Sequence, residues 1–94
     1  MTQNYKQNVG KQLEKHFKGV SNHWRINILL LLNEESGLSL EQIAETLNAN
    51  YKTISEHTKK LVHAGLINKK YINNTVSHSP SPYGKKFINF FKTF

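Results

Sequence analysis

The chain has 94 residues, with 13 Lys and Arg against 6 acidic residues, all Glu, for a formal charge of +7. That length bounds it to one domain with a modest core, and the absence of cysteine excludes disulfides, thiolate metal sites and a cysteine nucleophile. The basic balance favours a polyanionic partner, most simply nucleic acid, while the lack of an apolar signal core or a bilayer-length run makes a cytoplasmic location and no membrane partner the expectation.

Tyr5, Val9, Leu13 and Phe17 recur every fourth residue, with Lys11, Lys15 and Lys18 away from them. This predicts an amphipathic first helix over about residues 5–18, ended by Gly19. Its apolar seam is narrow and suits contact with one other helix. Ser21 or Asn22 can cap a second helix, and the run Ile28–Leu32, apolar on every side, makes that helix a central post. Trp24 and Ile26 extend it toward the first helix. Ser39 and Gln42 have the spacing of a capping box, with Leu38 and Ile43 placed for a hydrophobic staple. In the third helix, which this box opens, Ile43, Ala44 and Leu47 share a face. Asn48-Ala49-Asn50 interrupts the pattern, and Asn50 suits the N-cap of a fourth helix over about residues 51–64, stopped by Gly65.

Two helices joined by so short a turn form a helix-turn-helix unit. With Ile54, Leu61 and Val62 inward, Lys52, Thr53, Glu56, Lys59, Lys60 and His63 point outward, and Tyr51, Ser55 and His57 lie near the edge. A merely solvated helix would show the same face, so the next segment of the chain bears on the choice. After Gly65 the period shortens to two: Leu66–Ile72 and Thr75–His78 read as strands, with Asn73-Asn74 as a two-residue turn. Pro80 and Pro82 end the sheet, since neither can donate to a ladder. Ser81 as N-cap and Pro82 at the first helical position open a last helix, over about residues 82–94, with Tyr83, Phe87, Phe90, Phe91 and Phe94 at helical spacing.

The order helix, helix, helix-turn-helix, hairpin, helix is that of a winged helix, mainly α with a small β-hairpin (α+β). From about Trp24 to Gly84 the chain resembles the ArsR-like transcription regulators, with MarR-like regulators second. Carrying the resemblance are Arg25-Ile26-Asn27-Ile28-Leu29, the Ser39–Leu47 helix, Ile54-Ser55-Glu56-His57 continuing to Leu61-Val62-His63-Ala64-Gly65-Leu66-Ile67, and Ser81-Pro82-Tyr83-Gly84. The chain departs from the family pattern in three places. Thr58 replaces a leucine, so its hydroxyl needs a partner if buried. His78 and Pro80 stand where an aromatic residue and a leucine are usual, which points to a short or distorted second strand. The hairpin lacks arginine and leaves its contacts to Lys69, Lys70, Asn73 and Asn74.

Some members of such a family sense metals, but here the five histidines lack ligand spacing and the last helix carries neither Asp nor His, so no metal or other cofactor is expected. No Ser-His-acid order or Gly-rich phosphate loop points to an enzyme. The reading is a homodimeric, sequence-specific regulator that binds double-stranded DNA. The helix over residues 51–64 would enter the major groove, with Tyr51, Lys52, Thr53 and Glu56 nearest the bases and Ser55, His57, Lys59 and Lys60 on phosphates. The wing over residues 67–79 would follow the backbone or minor groove, and both terminal helices would form the dimer through Val9, Leu13, Phe17, Trp24, Phe87, Phe90, Phe91 and Phe94. Two alternatives predict different binding: a protein-interaction winged helix, and an architectural protein that coats nucleic acid without sequence preference.

Overall fold

Four side chains decide where four of the five helices begin, and all four are small polar residues whose oxygen reaches an otherwise unpaired amide. The computed structural model describes residues 9–94. Its elements are α1 (Val9–Val20), α2 (His23–Glu34), α3 (Leu40–Thr46), α4 (Tyr51–His63), β1 (Ile67–Ile72), β2 (Thr75–Pro80) and α5 (Pro82–Lys92). Asn22 caps α2 and Asn50 caps α4, each through the amides two and three residues on. Ser39 and Gln42 form the reciprocal capping box at α3, at 3.2 and 2.9 Å. Ser81 caps α5 through the Gly84 amide at 3.0 Å, followed by Pro82 where a missing N–H costs nothing.

Helix α2 is the post that the sequence predicts. Ile28, Leu29 and Leu32 are fully buried, and the helix touches α1, α4, α5 and β2. Ile43 and Ala44 of α3, Ile54 and Leu61 of α4, Leu66 and Ile67, and Ile88 of α5 complete the core. Ile88 is the inward residue of the last helix, a role that its five aromatic neighbours mask in the sequence. Phe87 and Phe91 pack partly against this core, while Phe90 and Phe94 stay exposed.

Several boundaries differ from expectation. Helix α1 continues through Gly19 to Val20, because Gly19 lies against Ala64 so closely that any side chain there would collide with it. The glycine serves close approach, not termination. Tyr5, placed on the seam of the first helix, lies outside the described residues. Helix α5 stops at Lys92, with Thr93 as its C-cap, short of Phe94.

The second strand is neither short nor distorted. It pairs with β1 in unbroken antiparallel register from Ile72↔Thr75 to Ile67↔Pro80, around a turn in which Asn73 takes a left-handed φ of 56°. Pro80 is tolerated because it closes the ladder, where its missing donor is not needed, and the next amide, of Ser81, donates to the Leu66 carbonyl at 3.0 Å. His78 is 1% exposed and ties the hairpin to the segment before α3. Its amide and its Nδ1 both donate to the Leu38 carbonyl, at 3.0 and 2.8 Å, and its own carbonyl accepts from the Gly37 amide. A residue that looked like a departure from the pattern thus anchors the wing.

Thr58 points into the core at 1% exposure, and among the described residues its Oγ1 has no hydrogen-bond partner. A buried hydroxyl without a partner carries a desolvation penalty that an apolar isostere escapes. Thr58→Val keeps the branched shape, so it is expected to raise stability by about 1 kcal/mol. The measurement is urea unfolding: a higher midpoint at unchanged slope is expected, and a lower one would mean that the hydroxyl has a partner in solution.

Candidate nucleic-acid interface

The burial of α4 divides it cleanly. Ile54, Thr58 and Leu61 face the core and are at most 1% exposed. On the opposite side Lys52, Glu56, Lys59 and His63, spaced four, three and four apart, are all exposed. Thr53 and His57 flank this row on one side, half-buried, and Tyr51 and Ser55 flank it on the other, exposed and half-buried respectively. Of the residues expected to lie nearest bases, Tyr51, Lys52 and Glu56 are open to solvent, while Thr53 is the more recessed. Asn50 Oδ1 already accepts from the Lys52 and Thr53 amides, so the start of the helix presents side chains more than free N–H groups.

His57 has a defined chemical state. Arg25 Nη1 can only donate, so at 2.9 Å the His57 Nδ1 must accept, and the ring proton of the neutral imidazole sits on Nε2. Nδ1 is thus committed to Arg25, and Nε2–H is the donor open to another partner. Burial lowers the His57 pKa below the ordinary 6.5, helped by the positive charges of Arg25, Lys60 and His23 and opposed by Glu56.

In the wing, Lys69, Lys70, Asn73 and Asn74 are all exposed. Successive strand residues point to opposite faces, so Lys69 and Lys70 serve two sides of the hairpin, not one. Tyr71 and Ile72, exposed beside the tip, were not singled out in the sequence, although strand alternation with polar neighbours would have flagged them.

A second surface lies on the terminal helices. Leu13, Phe17, Tyr83, Phe90 and Phe94 are each at least half exposed. Phe17 meets Phe87 edge to face at 5.0 Å, and an apolar groove of about 270 Å³ runs between α1 and α5. Val9 and Phe91 are half-buried. Trp24 is half-buried against the core beside His23 and, like Val9, Phe91 and Phe94, does not line this groove. Tyr83, stacked on His16 at 4.6 Å, belongs to the apolar face and adds one residue to the expected set.

Among the described residues no three His or Glu side chains gather where they could hold a metal ion, and no helix is long and apolar enough to cross a membrane.

A family model described as "Bacterial regulatory protein, arsR family" matches residues 22–69, just over half of the chain. Among solved structures, the chain is similar to HlyU from Vibrio cholerae, with a TM-score of 0.82 and 22% identity over 94% of this chain and 96% of that one. It is similar also to the transcriptional repressor PagR of Bacillus anthracis, with a TM-score of 0.79 and 18% identity over 86% and 93%. A third structure is the homodimeric winged helix-turn-helix DNA-binding domain of a possible ArsR-family regulator from Mycobacterium bovis, with a TM-score of 0.75 and 22% identity over 90% and 76%. A comparison with curated proteins gives no match.

The His57–Arg25 contact makes a pH prediction. Because folding lowers the His57 pKa, the unfolded chain binds the proton more readily. The stability that neutral His57 contributes, through its burial first and its place beside Arg25 second, is then complete above pH 6.5 and is lost as pH falls from there through the folded value. His57→Gln should remove this component, so the difference in unfolding free energy between parent and variant should shrink from pH 7 toward pH 5. Parallel stability curves across that window would show that folding does not lower the His57 pKa.

Proposed function

Because this chain belongs to the arsR family of bacterial regulatory proteins, we propose that it works as a homodimer that reads a specific duplex with α4 and steadies itself with the wing. It is a DNA-binding transcription regulator and not an enzyme. The observation that carries the reading is the polarity of α4: an inner row at most 1% exposed locks the helix, leaving the row Lys52, Glu56, Lys59 and His63 in solvent. A rigid helix with exposed hydrogen-bonding groups fits the major groove, where base edges can be told apart. Tyr51, Lys52, Thr53 and Glu56 face the bases, while Ser55, His57 through Nε2, Lys59 and Lys60 hold phosphates. Lys69, Lys70, Asn73 and Asn74 of the wing touch the adjacent backbone.

Residues 1–94 act as one unit, dimerising through α1 and α5. Phe90 is half exposed and Phe94 almost fully so, and hiding one phenylalanine from water contributes about 1.5–3 kcal/mol. The homodimeric state of the similar M. bovis domain supports the same use of this surface here. The interface comprises Val9, Leu13, Phe17, Phe87, Phe90, Phe91 and Phe94, with Trp24 at its edge, and Tyr83 joins it. A two-fold axis there would set the two copies of α4 about 34 Å apart, one turn of DNA, on a palindromic site.

Two measurements check this. Selection from a random duplex library should yield one preferred site, for which Lys52→Ala/Thr53→Ala loses about 1–3 kcal/mol of discrimination per base contact while remaining folded. A double variant that binds the selected site as tightly as the parent would remove α4 as the reader. Equal affinity of the parent for all duplexes would favour an architectural protein, and no duplex binding a protein-interaction module.

Light scattering at tens of micromolar should show a dimer, and Phe90→Lys/Phe94→Lys a folded monomer with much weaker site binding. A monomeric parent would sink the dimer.

A further inference from the structure

Between α1, α2 and the C-terminal half of α4 lies an open cleft of about 450 Å³ of which the recognition reading uses only Lys59 and Lys60. Its walls carry Lys15 and Lys18 from α1, Arg25 from α2, and Lys59, Lys60 and His63 from α4. Gly19 and Ala64, also lining it, are in contact so close that the two helices bring their cations together over a floor of small residues. No carboxylate lines the cleft among the described residues. Glu14 reaches Lys18 at 2.9 Å, but both side chains are exposed, and such a pair is easily displaced in water.

Five permanent cations from three helices repel one another unless an anion joins them. One of the five is fixed in advance. Arg25 is held by His57 at 2.9 Å, and its Nε is buried without a partner among the described residues. A guanidinium held in place loses less entropy on meeting an oxyanion than a free lysine does, and its planar donors suit phosphate.

We propose that this cleft is a phosphate-binding site. Two sources supply that chemistry: the backbone of a duplex, beyond the base pairs that α4 reads, and a free oligophosphate. The duplex source rests on the proposed reading of α4, since Lys59 and Lys60 belong to both surfaces; the free-anion source does not.

The test compares Lys15→Gln/Lys18→Gln with Lys85→Gln/Lys92→Gln, which removes the same charge from α5. Salt dependence of binding is measured by fluorescence anisotropy on the selected and on a random duplex, and tripolyphosphate is titrated calorimetrically at low salt. If the duplex backbone occupies the cleft, the cleft variant flattens the slope of log affinity on log salt by about one unit per protomer, equally for both duplexes, and the α5 variant flattens it less. If a free anion occupies it, the parent binds one tripolyphosphate per protomer, the cleft variant loses that binding, and the duplex slopes of the two variants match. Should the parent bind no duplex, the reading of α4 fails and the tripolyphosphate titration alone decides the cleft. The proposal is overturned if the two variants have matching duplex slopes and the parent either binds no tripolyphosphate or binds it no better than the cleft variant.

Discussion

The turn Ala64-Gly65-Leu66 is the point on which the rest of the structure depends. Gly65, at a φ of 77°, lets α4 stop and reverse direction in one residue, a conformation that L side chains rarely adopt. Two other segments then bind this turn. His16 Nδ1 donates to the Ala64 carbonyl at 2.8 Å, and Gly19 lies flush on Ala64. Ser81 Oγ donates to the Gly65 carbonyl at 2.6 Å, and the Ser81 amide to the Leu66 carbonyl at 3.0 Å. Gly84 presses on that same Leu66 carbonyl, with no space for a Cβ. The carbonyls that a helix end leaves unpaired are thus satisfied by α1 and by the segment that opens α5. Both terminal helices are referenced to the end of α4.

That arrangement gives mechanical meaning to the two exposed surfaces. The apolar groove between α1 and α5 and the outer row of α4 sit on elements joined through one turn, with His16, stacked on Tyr83, bridging all three. Docking a second copy on the groove would therefore set where its α4 lies with little slack, which a two-site reader needs. The wing packs against α4 through β1 and has a second tie, from His78 to the carbonyl of Leu38. The hairpin is therefore held both by the end of α4 and by the segment before α3.

Polar side chains inside this small core have unequal fates. His78 and Ser81 are buried and bonded, and each joins two segments distant in sequence. Thr58 is buried and unpartnered, at the centre of the helix that most needs to be rigid. Arg25 lies between: one nitrogen holds His57, and Nε has no partner among the described residues. Unpaired buried donors are uncommon because each forfeits its hydration. Here one of the two adjoins the basic cleft.

Much of the fold was legible because it is local. The capping box at Ser39 and Gln42, the caps Asn50 and Ser81, the choice of Ser21 or Asn22 for α2, the apolar post Ile28–Leu32 and the shift to period two after Gly65 all depend on residues within a turn or two of one another. The outer face of α4 was legible for the same reason, since helical spacing alone separates Lys52 and Glu56 from Ile54 and Leu61. What the tertiary structure alone decided involves partners far apart in the chain. Gly19 reads as a helix stop until Ala64, forty-five positions on, is seen against it. His57 reads as having both ring nitrogens free until Arg25 takes its Nδ1. His78 reads as a flaw in a strand until Leu38 is opposite it, and the lysines of α1 read as solvated until Lys59 and Lys60 stand across the cleft. Spacing along the chain encodes which way a side chain points from its own helix or strand; what it meets there depends on how the elements pack, and no local period carries that information.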